Sequence, residues 1–120
     1  MKLTDQEVAE AISVGNFRAA YEYLHENIVW TIIGDKTLAG KTAVIEFCEK
    51  TSQYFSTVKT EFNLKNIIAD NDRIAIDGTA KFTSPEGETM NLASCDVYSF
   101  YSGKLREITS YCIVLKNEES

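Results

Sequence analysis

Asp96 is the residue of this 120-residue chain best placed for acid–base chemistry. It lies in Leu92–Leu115, which reads as a long two-stranded hairpin with the carboxylate in the middle of its first arm. Ser102-Gly103 has the turn chemistry of a tight two-residue loop. That loop predicts Phe100 opposite Leu105, Tyr98 opposite Glu107 and Asp96 opposite Thr109. On this register Asp96 shares a face with Leu92, Ser94, Tyr98, Phe100, Leu105, Thr109, Tyr111 and Ile113. An apolar face with a few polar groups set into it suits a pocket wall. A carboxyl there has its charged form disfavoured. It can stay protonated and donate a hydrogen bond, or act as acid or base. The alternative is a structural carboxylate bonded to a neighbouring hydroxyl, Thr109 or Tyr111.

Four aromatic side chains are candidate ligand contacts. Tyr98 and Tyr111 offer phenolic O–H groups on the expected face, although buried tyrosines commonly find structural partners instead. Trp30, the single tryptophan, can stack on a flat ligand or simply fill core. Tyr54, beside Phe55 near the end of a helix, can frame a mouth. The single histidine, His25, sits near a helix C-terminus, where it is favourable without any chemistry. One histidine also argues against a histidine-based metal site or a Ser-His-Asp triad, and the expectation is no metal and no organic cofactor. Gly34–Thr42 ends in Gly-Lys-Thr but has five residues between its glycines where a phosphate-binding loop has four. Gly40-Lys41-Thr42 is better read as a helix start.

The elements that must position these groups follow from pattern. Thr4 and Glu7 fit a capping box and Leu3 and Val8 a hydrophobic staple, so a helix runs from there to about Val14 and stops at Gly15. A second helix opens near Asn16, with Phe17, Ala20, Tyr21 and Leu24 on one face. Asn27–Ile33, rich in β-branched and aromatic residues, reads as a short strand. Lys41–Phe55 is a third helix with a stripe of Val44, Phe47, Cys48, Thr51 and Phe55. Val58–Leu64 and Ile74–Phe82 alternate as strands, and Gly78 inside the latter signals a bulge or bend. The tail, Asn117–Ser120, is expected to fray. Segregated helices and strands mean an α+β fold, with the whole of 1–120 one domain. The architecture expected is a cone: a curved, mostly antiparallel sheet packed against three helices in the N-terminal half.

The formal charge is −6 with no basic cluster, which argues against nucleic acid and anionic membrane as partners. The opening residues do not resemble a signal peptide. The three cysteines lack CxxC spacing, consistent with a reducing, cytoplasmic setting.

The order of several short motifs resembles the nuclear-transport-factor-two-like superfamily, cystatin-like α+β barrels that include SnoaL-like polyketide cyclases and ketosteroid isomerase. The motifs are Gly15-Asn16-Phe17, Asn27-Ile28-Val29-Trp30, Leu38-Ala39-Gly40-Lys41, and Asp96-Val97-Tyr98-Ser99-Phe100 leading through Gly103-Lys104-Leu105-Arg106-Glu107-Ile108 to Tyr111. The resemblance puts Asp96 where the isomerase has a protonated aspartate. It puts Thr31 near the isomerase's base and Val8 near its oxyanion tyrosine, and neither residue can do that work. An epoxide-hydrolase Asp–Arg–Asp arrangement does not assemble from Arg18, Arg73 and Arg106. The implied function is binding of a small molecule in a largely apolar pocket, with cofactor-independent isomerase, cyclase or hydrolase chemistry open to it. The resemblance also favours a homodimer through the outer sheet face, expected to carry Ala93, Cys95, Val97, Ile108, Cys112 and Val114. The alternative function is a non-catalytic dimerisation or association module. A hollow of about 300 Å³ or more favours a ligand site. Filling by Trp30, Phe62, Phe82 and Phe100 favours the module.

Overall fold

A computed structural model describes residues 2–116; Asn117–Ser120, expected to fray, lie outside them. Helix α1 spans Asp5–Ser13. Its start is set by the capping box: Glu7 N–H donates to the Thr4 hydroxyl and Thr4 N–H to the Glu7 carboxylate. Its end is set by Gly15 at φ +81°, a left-handed conformation that favours glycine.

The second helix differs in kind from the one expected. Phe17–Tyr23 is a 3-10 helix, and Leu24 already belongs to a strand. Its buried residues are Phe17, Ala20 and Tyr23. Spacing by three is the period of a 3-10 helix, so one line of side chains faces the core. Tyr21 instead turns its hydroxyl to Glu49, at 2.7 Å.

Strand β1 (Leu24–Ile32) turns back into β2 (Lys36–Ala39), a short edge strand within the stretch read as a loop before the helix. Gly40, at φ +98°, then caps helix α2, which spans Lys41–Phe55 as expected. Strands β3 (Lys59–Asp70), β4 (Arg73–Thr83), β5 (Thr89–Tyr101) and β6 (Lys104–Leu115) form an antiparallel meander. The sheet order is β2-β1-β6-β5-β4-β3, with β1 and β6 parallel and every other pair antiparallel. No ladder joins β2 to β3 among the described residues, so the sheet is open. The helices pack on one face of it. Val8, Ile12, Phe17, Tyr23, Val44 and Cys48 meet Ile28, Trp30, Ile74, Ile76, Tyr98 and Ile108 in one core.

Two bulges shape the sheet. One lies in β3 between Leu64 and Asn66, facing Gly78. A Cβ on Gly78 would run into the Asn63 carbonyl oxygen, so the close approach requires glycine. The other lies in β6. Phe100 pairs with Leu105 as expected, but Ser99 pairs with Glu107, leaving Arg106 as an extra residue. A one-residue slip moves every following side chain to the other face. Asp96 is therefore opposite Ser110, not Thr109, and Tyr98 opposite Ile108, not Glu107.

The slip corrects the outer-face expectation. Ile108 is only 1% exposed, inside the core. Cys112 shares the inner face with Ser94, and Val114 with Leu92. Thr109, Tyr111 and Ile113 take the outer face beside Val97, Cys95 and Ala93.

Candidate functional site

The inner face of β5 presents Leu92, Ser94, Asp96 and Tyr98 in alternation. Where these residues meet the end of α1 and the end of α2, the packing leaves a hollow of about 150 Å³. Phe55, Phe62 and Phe82 form its aromatic wall. Phe55 and Phe82 are stacked, with ring centroids 5.4 Å apart, and Phe62 meets Phe55 at 5.7 Å and Phe82 at 6.0 Å. Leu64, Ile76 and Leu92 add aliphatic surface. Ser13, Ser94, Asp96 and Cys112 line the other end, and Asp77, Gly78, Thr79 and Ala80 of β4 also border the hollow. A wider depression of about 560 Å³ lies among Glu61, Asn63, Lys81 and Asn91. It is a surface trough that borders the hollow at Phe62, and Ser13, Ser94 and Asp96 lie outside it.

Asp96 is held by hydroxyl groups from both ends of the sequence. Ser13, the last residue of α1, donates to Asp96 Oδ2 at 3.2 Å. The Tyr98 hydroxyl lies 2.7 Å from Ser13 Oγ and 3.5 Å from the same carboxylate oxygen. With one proton per hydroxyl, the shorter contacts favour Tyr98 donating to Ser13 and Ser13 donating to Asp96 over Ser13 donating to Tyr98 and Tyr98 to Asp96. Ser110, directly across the ladder, accepts from Trp30 Nε1 at 2.9 Å, which leaves its own proton for another partner.

Burial raises the Asp96 pKa above its ordinary value. The hydroxyls of Ser110 and Ser13, and last the more distant one of Tyr98, oppose that rise by stabilising the charged form. Tyr98 is raised well above the usual phenol value, first by burial and then by the adjacent carboxylate, so it remains a neutral donor. A carboxyl that takes up a proton readily and is wired to two hydroxyls can donate to a ligand oxygen or move a proton.

The structure sorts the candidate residues. Asp96 and Tyr98 are brought together. Trp30 is in the core, edge-on to Phe47 and bonded to Ser110, and is absent from the lining of the hollow. Tyr54 is 45% exposed and packs its ring against Phe55 and Phe82, outside the lining. Tyr111 does not share a face with Asp96. The bulge at Arg106 turns it to the outer side, opposite Cys95 and 48% exposed. Ser13 and Ser110 were not singled out from the sequence. Ser110 required the bulged register, and Ser13 had no local signal beyond its position beside the helix stop. The arginines stay away: Arg18 pairs with Glu49 on the surface, Arg106 donates to the Asn27 carbonyl, and none lines the hollow. His25 is in β1, its Nδ1 accepting from Asn27 N–H.

Residues 6–108 match the model of the SnoaL-like domain, and the chain belongs to that family. Among solved structures, it is similar to an NTF2-like protein of unknown function from Cytophaga hutchinsonii, at 33% identity over 88% of this chain and 93% of that one (TM-score 0.81). It also shares its fold with a putative SnoaL-like polyketide cyclase from Jannaschia sp. CCS1, at 11% identity over 90% and 84% of the two chains (TM-score 0.72). TerC, co-crystallised with polyporic acid, shares it too, at 19% identity over 88% of each chain (TM-score 0.65). No curated protein matches the chain. No helix among the described residues is long and apolar enough to cross a membrane.

Proposed function

We propose that this is a small-molecule-binding SnoaL-like protein, the whole of 1–120 acting as one domain. Its ligand is small and largely apolar and places an oxygen against Asp96. The observation that carries the reading is a carboxyl of raised pKa at the polar end of an otherwise apolar hollow, braced by Ser13 and Tyr98. The association of a fold relative with polyporic acid, an oxygen-bearing organic molecule, agrees with it. Protonated, Asp96 donates a hydrogen bond to the ligand oxygen; ionised, it accepts a proton from the ligand. Both roles serve cofactor-independent isomerase, cyclase or hydrolase chemistry. Tyr98 positions the carboxyl, Trp30 holds Ser110 behind it, and Tyr54 backs the aromatic wall. Three free cysteines fit a reducing, cytoplasmic setting.

A thermal-shift screen of small oxygenated ring compounds tests the reading, repeated on Asp96→Asn. A binder at a hundred times its Kd stabilises the fold by about 2.7 kcal/mol. Trp30 emission gives an independent readout. Equal binding by wild type and Asp96→Asn would remove Asp96 from the site.

A second reading, compatible with the first, is association through the outer sheet face. Ile68 and Ile113, each 65% exposed, and Tyr111 flank Val97 and Ala75 on that face. Large exposed apolar side chains gathered on one face suit an interaction surface, and a second copy of the chain is the proposed partner. Sedimentation tests it: a monomer at roughly tens of micromolar, the range of weak interfaces, counts against the dimer.

A further inference from the structure

Resting on the ligand-binding reading above, we infer that the hollow is a one-ring site. Its ligand is a monocyclic compound with a hydroxyl or carbonyl group, and a fused two-ring compound is excluded. Size is the first argument. A hollow of about 150 Å³ lies below the roughly 300–1,000 Å³ typical of sites for drug-sized ligands. A cavity of about 150 Å³ lined by apolar side chains accommodates one benzene.

The second argument is that the Phe55 wall and the floor are held in place by their own packing. Phe55 lies so close over Gly15 that a Cβ on that glycine would stand 2.9 Å from the ring. Its other side is stacked on Phe82. The floor rests on Ile76, 1% exposed, in the packed core. Gly78 is pressed against the β3 backbone at the bulge. Closely packed surroundings of this kind resist swelling to admit a larger guest.

The third argument is polarity. Ser13, Ser94 and Asp96 stand apart from the triad Phe55, Phe62 and Phe82; Asp77 and Thr79, which also border the hollow, alternate with the inward-facing Ile76, Gly78 and Ala80 along β4 and sit beside Cys95 and Ala93 on the outer face. A flat ring fits edge-on or offset against the three phenylalanines. Its single polar substituent then meets the carboxyl. A ligand with polar groups at both ends would leave one of them unpaired against phenyl rings, at a cost.

The test is an NMR titration of isotope-labelled protein with phenol and with 2-naphthol. It uses wild type, Phe62→Ala, Leu92→Ala and Asp96→Asn. Because 2-naphthol buries more apolar surface, it binds tighter wherever space allows. The expected result is the reverse in wild type: phenol binds at least about tenfold tighter, with shifts at Ile76 and Ser94. Phe62→Ala removes part of the wall and brings 2-naphthol level with phenol or ahead of it. Leu92→Ala does the same from the opposite wall and serves if Phe62→Ala fails to fold. Binding of 2-naphthol to wild type as tightly as phenol overturns the one-ring inference while leaving a ligand site in place. Phenol affinity that is unchanged in Asp96→Asn, with the preference over 2-naphthol kept, supports the size limit and sinks the role of Asp96. No shift at Ile76 or Ser94 with either compound overturns both.

Discussion

Ser13 and Asp96 are 83 positions apart in sequence, yet Ser13 Oγ donates to Asp96 Oδ2 at 3.2 Å, joining the end of the first helix to the middle of the fifth strand. The bond favours the charged carboxylate, and burial disfavours it. Ser13→Ala removes only the first effect, so the Asp96 pKa moves further up. Carbon-13 NMR titration of the carboxyl reads this directly. The lost bond costs about 1 kcal/mol of stability in denaturant melts. An unchanged or lower pKa would show that the bond is not made.

The raised Asp96 pKa sets a pH dependence of stability. The folded chain holds this proton more tightly than the unfolded chain, whose value is near 3.8. The corresponding stability is complete below 3.8 and is lost as pH rises through the folded value. Asp96→Asn carries no such loss. The melting temperature of the variant, relative to wild type, therefore climbs as pH increases from 3.8. A flat difference across that range would refute the assignment.

The bulge at Arg106 predicts which residues of β6 matter for stability. Ile108 is in the core and Tyr111 is on the outer face. Ile108→Ala should cost about 2–5 kcal/mol, and Tyr111→Ala under about 1 kcal/mol in the monomer. Urea melts of the two variants distinguish the registers, because an unbulged hairpin would reverse the order.

Gly78 faces the β3 backbone with no space for a side chain. Gly78→Ala forces the two strands apart and should cost about 1–3 kcal/mol. It also disturbs the hollow beside it. A variant as stable as wild type would mean that the strands do not approach so closely.

The three thiols should alkylate in a defined order. Cys112 is exposed at the edge of the hollow, Cys95 is half-buried on the outer face, and Cys48 is buried with its thiol pushed up to about 12. Burial raises the other two as well, so all react slowly near neutral pH. Mass spectrometry after timed iodoacetamide treatment should show Cys112 first and Cys48 only on unfolding. Saturating phenol should slow Cys112 and leave Cys95 unchanged.

Much of this architecture is legible in the residues. Lys41–Phe55 carries a clear helical stripe, the Thr4–Glu7 box marks a helix start, and Gly78 marks a bulge. The 3-10 helix was missed because Tyr21 and Leu24 complete a helical pattern as convincingly as Phe17, Ala20 and Tyr23 complete a threefold one. Strand β2 is four residues long, too short to show alternation. The register of β6 does carry a signal. Leu105 and Ile108 are three apart and both buried, which a regular strand cannot arrange. Leu64 and Ile67 repeat that spacing across the β3 bulge, paired to the inward-facing Gly78 and Ile76. The carboxylate itself could be found by residue type and neighbours. Its partners Ser13 and Ser110 could not, because only tertiary pairing brings them near.

The parallel pairing of β1 with β6 has a consequence for synthesis on the ribosome. Trp30 meets Ile108 in that ladder, and β6 is the last strand of the described residues. The central seam of the sheet cannot close until β6 has emerged. Such non-local pairing is slow to form, and until it does the apolar edges of β1 and β5 are open to other chains. A nascent chain halted before Leu105 would have made its carboxylate and its helix but would lack the strand that joins them, a state suited to chaperone capture rather than to catalysis or binding.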